Sequence, residues 1–159
     1  MKTGGWLGGG YQLPSESLQG KVCIVTGANT GIGKETARGL ADRGATVILA
    51  CRSLERGQEA AKEIGGLVRV KKCDLASFAS VRKFCEEINR EEKKVDILIN
   101  NAGMVTMSRE LTEDGQEMQF QSNHLGHFLL TNLLLGKLKA AKDGARIVNV
   151  SSAAHWYVS

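Results

Sequence analysis

From Lys21 onward, short apolar runs alternate with stretches whose apolar residues recur at helical period. The runs at 22–25, 46–50, 68–72, 97–100 and 146–150 are mostly Val, Ile and Leu, which predicts five short strands buried on both faces. Between them the spacing predicts helices over 32–43, 54–64, 80–92 and 116–141, with Gly44, Gly65 and Gly144 marking stops. This alternation is the α/β pattern: a doubly wound parallel sheet whose crossover helices cover its faces. Right-handed crossovers then set the strand order 3-2-1-4-5, a mononucleotide-binding unit followed by the start of its mirror. In the last helix Leu125, Phe128, Leu129, Leu133 and Leu135 spread over more than one stripe, so part of that helix is expected to expose apolar surface unless a partner covers it.

The chain has 159 residues, 42% of them hydrophobic, enough for the core of one domain. Residues 1–20 read as a flexible leader and 21–159 as the folded domain. No apolar run is long enough for a signal-peptide core or a membrane span; the longest, 128–138, is interrupted by Thr131, Asn132, Gly136 and Lys137. Lys and Arg total 21 against 17 Asp and Glu and are scattered among them, which argues against a nucleic-acid partner. Cys23, Cys51, Cys73 and Cys85 show no C-x-x-C spacing, and the first three sit in apolar stretches, so buried free thiols in a reducing compartment are expected. His124 and His127 lie three apart, but no Cys, His or carboxylate set completes a metal site, and both read as packing or surface histidines. His155, Trp156 and Tyr157 read as a tail.

Chemistry enters with Thr26-Gly27-Ala28-Asn29-Thr30-Gly31-Ile32-Gly33, at the junction of the first strand and first helix. Glycines there allow a tight turn and let backbone amides approach a pyrophosphate at a helix N-terminus. Where an NAD-binding sheet carries a carboxylate at the end of its second strand, this chain reads Leu49-Ala50-Cys51-Arg52-Ser53. Arg52 can pair with a 2′-phosphate, which favours NADP(H) over NAD(H).

Three further motifs follow in order: Asn100-Asn101-Ala102-Gly103 after the fourth strand, Asn123-His124-Leu125-Gly126-His127-Phe128-Leu129-Leu130-Thr131 in the long helix, and Ile147-Val148-Asn149-Val150-Ser151-Ser152 at the fifth strand. With the glycine loop they resemble the short-chain dehydrogenase/reductase family over nearly the whole chain, and within it the retinol dehydrogenase branch. The resemblance implies a Rossmann fold and a cofactor site made of Gly27, Asn29, Thr30, Gly31, Ile32, Gly33, Arg52, Asp74, Leu75, Asn101, Ala102 and Gly103, with Asp74 at the adenine. It also implies a substrate-orienting serine at Ser152 and an asparagine holding a proton-relay water at Asn123.

The same resemblance implies a Tyr-x-x-x-Lys motif, in which the lysine lowers the tyrosine pKa so that the phenol can pass a proton near neutral pH. Tyr157, the only tyrosine after Ser152, lies five residues beyond it and has no lysine four positions on. The expectation is therefore an NADP(H)-dependent oxidoreductase, interconverting a retinoid or other lipophilic alcohol and its carbonyl. This chain is expected to be a truncated form without the later strands and with little activity alone. The alternative is a non-catalytic NADP-binding module that pairs, as a homodimer or with a longer relative, through the helix at 116–141. The expected location is cytoplasmic or peripheral to an intracellular membrane, not secreted.

Overall fold

A computed structural model describes residues 16–154 of the chain. The elements run β1 (Val22–Thr26), α1 (Gly31–Ala41), β2 (Thr46–Cys51), α2 (Leu54–Ile64), β3 (Val68–Lys72), α3 (Phe78–Glu91), β4 (Ile97–Asn100), α4 (Met118–Phe120), a π-helical turn (Gln121–Leu125), α5 (Gly126–Lys139) and β5 (Arg146–Asn149). All strand pairs are parallel and the order is β3-β2-β1-β4-β5, as the crossover rule predicts. Two apolar layers sandwich the sheet. On one face Cys23, Val25, Val47 and Leu49 meet Ala37, Leu40, Ala60 and Ile64 of α1 and α2. On the other, Ile24, Ile48 and Leu98 meet Phe84, Ile88, Leu130 and Leu134 of α3 and α5.

Two expectations need correction. Only the inner strands β1, β2 and β4 are buried along most of their length. Edge strand β3 carries Arg69, Lys71 and Lys72, with the first two ion-paired to Glu92, Glu87 and Glu91 near α3, while every residue of β5 is exposed. Apolar content marks a strand, whereas burial on both faces also needs a covering layer.

The single helix expected over 116–141 is broken in three: it starts at Met118, widens into the π turn, where the Gly126 N–H reaches back five residues to the Gln121 carbonyl, and ends at Lys139. The buried Gln121 side chain lies in that turn, bonded to Thr112 and Asp114. In α5 the buried face carries Leu130, Leu134 and Leu138, while Phe128 and Leu135 are exposed, as the spread of apolar positions implied. His127 is buried on the packed face of α5, within the packing-or-surface expectation, and both of its ring nitrogens have partners.

Of the stretch read as a leader, residues 1–15 lie outside the described residues; Leu18 donates its N–H to the Arg43 carbonyl and packs on the α1/α2 layer. All four cysteines are free and buried, as expected. Burial pushes the Cys51 thiol up to about 11, although the amides of Ala28 and Asn29 act in the other direction. At the N-terminal ends of β1 and β4 the buried Asp96 carboxylate accepts from the Val22 N–H and pairs with Lys94 and Lys21. Burial alone would raise its pKa; the bonds from Lys94 and Val22 and the two ammonium charges outweigh it, so the group titrates below the ordinary carboxylate range. This network lies at the end of the sheet away from the glycine loop and is a structural staple. Among the described residues no helix is long and apolar enough to cross a membrane, and no group of His, Cys, Asp and Glu is arranged to hold a metal.

Candidate dinucleotide site

Helix α1 differs from its neighbours at its start. Ser53 caps α2 by accepting from the Arg56 N–H, and Ser77 caps α3 by accepting from the Ser80 N–H. Thr30, at the same place before α1, makes no side-chain cap bond, and no acidic residue stands in the first turn. The first amides of α1 thus have neither a capping oxygen nor a carboxylate, and they open onto a cavity of about 390 Å³ at the C-terminal ends of the strands.

The glycine loop reaches this position for two physical reasons. Gly27 and Gly31 adopt φ of 63° and 54°, in the left-handed region where a side chain is strained. Gly33 is set by space: a Cβ there would stand 2.4 Å from Asn101 Nδ2 and 2.6 Å from the Gly27 carbonyl oxygen. A Cβ on Gly27 would likewise meet the Ala102 Cα at 2.9 Å. Turn, helix start and the segment after β4 are therefore packed backbone to backbone.

Of the residues singled out in the sequence, Gly27, Asn29, Thr30, Ile32, Gly33, Arg52, Asp74, Leu75, Asn101, Ala102, Gly103 and Asn123 line the cavity. Gly31 turns the chain beside it without lining it. Arg52 is exposed, and among the described residues no hydrogen bond or ion pair holds its guanidinium. Asp74 closes a turn, with Oδ1 accepting from the Ala76 N–H. Asn101 anchors β4 to β1: its Nδ2 donates to the Thr26 carbonyl at 2.8 Å. Asn100 stitches instead toward Thr131 and Asn149 through Nδ2, and its Oδ1 is buried without a partner among the described residues.

Ser152 is not brought to this cavity. It lies exposed past β5, accepting from the Ala154 N–H. Asn123 is brought to the wall, where Oδ1 accepts from the Met104 N–H and Nδ2 donates to the Met104 carbonyl, both at 2.8 Å. Tyr157 lies outside the described residues.

Sequence reasoning missed Ala50, Cys73, Ala76, Met104 and Ser122 in the wall. It also missed Gly126, whose absent Cβ lets α5 approach the Leu75 carbonyl; a Cβ would lie 2.6 Å from that oxygen. It missed the buried pair Thr26 and His127, joined Oγ1 to Nε2 at 2.8 Å. A signal for His127 existed, because it sits three and seven residues before Leu130 and Leu134 on the buried stripe of α5.

The arrangement can hold an anion at the open helix start, a second anion at Arg52, and a hydrogen-bond donor at Asp74. That is the chemistry of a phosphorylated dinucleotide, and backbone amides, a free guanidinium and a carboxylate fit such a group.

The short chain dehydrogenase family profile matches residues 21–157. Human retinol dehydrogenase 13 is 54% identical over 155 residues, covering 94% of this chain and 46% of that protein. The chain thus spans about half the length of the curated relatives it matches. Among solved structures, a Mycobacterium paratuberculosis protein superposes with a TM-score of 0.80 at 46% identity, covering 89% of this chain and 50% of its own. A metagenomic short-chain oxidoreductase in complex with NADP gives a TM-score of 0.77 at 31% identity, covering 87% and 65% respectively.

Proposed function

This chain belongs to the short chain dehydrogenase family, and we propose that its cavity binds NADP(H), in the service of an oxidoreductase acting on a retinoid or other lipophilic alcohol and its carbonyl. The observation that carries the reading is the start of α1, left without a side-chain cap while α2 and α3 are capped, and floored by glycines that admit no Cβ. When bound, the cofactor supplies or accepts hydride. The chain's own residues bind and orient it: the α1 amides take the pyrophosphate, Arg52 the 2′-phosphate, Asp74 an exocyclic amine of the adenine, and Asn101, Ala102 and Gly103 the ribose and nicotinamide side of the wall. The preference for NADP(H) rests on Arg52 standing where a carboxylate would serve NAD(H).

Asn123 is assigned to hold a relay water and Ser152 to orient the substrate oxygen, a reading that cavity placement supports for Asn123. Because the sequence contains no Tyr-x-x-x-Lys, the 159-residue chain alone is expected to bind cofactor but to show little or no turnover of retinal with NADPH. The buried free cysteines fit a reducing compartment.

The binding test is calorimetric titration with NADP⁺ and NAD⁺. Arg52→Asp should weaken NADP⁺ by about tenfold to hundredfold, the loss of one charge-assisted contact, and leave NAD⁺ unharmed. Unchanged NADP⁺ affinity would remove Arg52 from the site. A second reading, a non-catalytic module that binds the dinucleotide and self-associates through α5 and β5, is favoured by the exposure of Phe128, Ile147 and Val148. Sedimentation of the chain separates the two: a dimer dissociated by Phe128→Glu supports the second, a monomer the first.

A further inference from the structure

The cavity wall at 101–104 is held by two clamps. At one end the Thr26 Oγ1, fully buried, accepts from the Asn101 and Ala102 N–H groups, each at 2.9 Å. At the other, the Asn123 side chain bonds both the N–H and the carbonyl of Met104. The two clamps come from β1 and the π turn, far apart in sequence, and the ring of His127 joins them. Its Nδ1 lies 3.0 Å from the Asn123 main-chain oxygen and its Nε2 lies 2.8 Å from Thr26 Oγ1.

Donor and acceptor counting leaves one consistent state. A carbonyl only accepts, so Nδ1 carries the proton, and the uncharged ring then offers a bare Nε2. Both lone pairs of Thr26 Oγ1 are taken by amides, so its hydroxyl proton is free for donation, and Nε2 accepts it. The competing acceptor, the Ile99 carbonyl, is farther away at 3.4 Å. A charged ring would aim a second N–H at an oxygen with no lone pair left, and one amide bond to the wall would break.

We propose that His127 is a positioning residue for the dinucleotide cavity: as an uncharged, Nδ1-protonated imidazole it links the Thr26 clamp to the Asn123 clamp and so fixes the wall at 101–104 against Gly27. The proposal rests on the reading that this cavity binds NADP(H). The surroundings keep the ring neutral. Burial lowers its pKa below the ordinary histidine value, the Asn123 carbonyl pulls it back up, and His124 one turn earlier lowers it. Strands β1 and β4 present the uncharged Thr26, Ile99 and Asn101, and Cys85 of α3 faces the Leu130 carbonyl.

The test uses the full chain and three measurements. Nitrogen-15 NMR at about pH 7.5 should report the Nδ1–H tautomer of His127; the other tautomer or an imidazolium overturns the proposal. NADP⁺ affinity is then titrated from about pH 8 to about pH 5 for wild type, His127→Gln and His127→Phe, across the range where histidine changes charge. Wild type should weaken in acid by a step beyond any slope it shares with His127→Gln, whose amide oxygen keeps an acceptor for Thr26 but does not titrate. His127→Phe should be weaker by about tenfold at the alkaline end, the loss of one buried hydrogen bond. Identical profiles for wild type and His127→Gln, or wild-type affinity in His127→Phe, overturn the proposal.

If wild type binds no NADP⁺ at any pH, the cofactor reading fails by itself, and amide exchange decides the positioning role. His127→Phe should speed exchange at Asn101 and Ala102 by about tenfold while Ile24 and Val25 in the core stay protected; unchanged exchange counts against it. Should His127→Phe not fold, the tautomer and the His127→Gln profile decide.

Discussion

Strands β2 and β5 both carry runs of branched apolar residues, but in opposite environments. Val47, Ile48 and Leu49 of β2 have no solvent exposure, whereas Ile147 and Val148 of β5 are 42% and 44% exposed. The difference lies in the layers: β2 has α1 and α2 on one face and the α3/α5 core on the other, while β5 pairs with β4 alone. The candidate site divides the same way. On the inner flank Gly27 and Gly33 lie so near Asn101 and Ala102 that a Cβ on either glycine would clash, but Ser152, just past β5, stays outside the cavity. Past the other edge strand, β3, Asp74 and Leu75 still reach the wall, with Asp74 held by its turn.

The largest test of this contrast sets two phenylalanines against each other. Phe84→Ala, in the α3/α5 core, should cost about 3–5 kcal/mol in urea unfolding, while Phe128→Ala on the outer face of α5 should cost less than about 0.5 kcal/mol. Equal costs would mean that the α5 face is covered in solution. Next in size is Gly33→Ala: overpacking against Asn101 and the Gly27 carbonyl should cost about 1–3 kcal/mol and weaken NADP⁺ by about tenfold to hundredfold. A calorimetric affinity equal to wild type would show that the loop yields freely.

Acid should act on the inner flank through His127. Its pKa in the folded chain is lowered, mainly by burial, so the unfolded chain binds the proton first. Stability is full above the ordinary histidine value and is lost as pH falls from about 6.5 through the lowered folded value. The melting temperature of wild type should fall over that window and that of His127→Gln should not. The loss tied to Asp96 comes later, below the ordinary carboxylate value, because its folded pKa is also lowered and the paired form is the charged one. A small effect of opposite sign belongs to the outer flank: at Gly136 in α5 a Cβ meets nothing within 4 Å, so Gly136→Ala should stabilise by about 0.5–1 kcal/mol in the same unfolding assay.

The sequence by itself determined the α/β class, the strand order and the glycine turn, and its resemblance to a known family named much of the cavity wall. The first three rest on local periodicity, on chain handedness and on glycine's lack of a Cβ, which act within one element or one crossover. Tertiary structure alone decided that β5 stays exposed, that the helix at 116–141 opens into a π turn around Gln121, and that Gly126 lets α5 touch the Leu75 carbonyl. It also decided the Thr26–His127 link, between residues 101 positions apart. The hydrogen-bond count that makes His127 an uncharged acceptor exists only once two strands and a helix have met. That is why a histidine which reads as packing in the sequence becomes, in the fold, the joint between two halves of the wall.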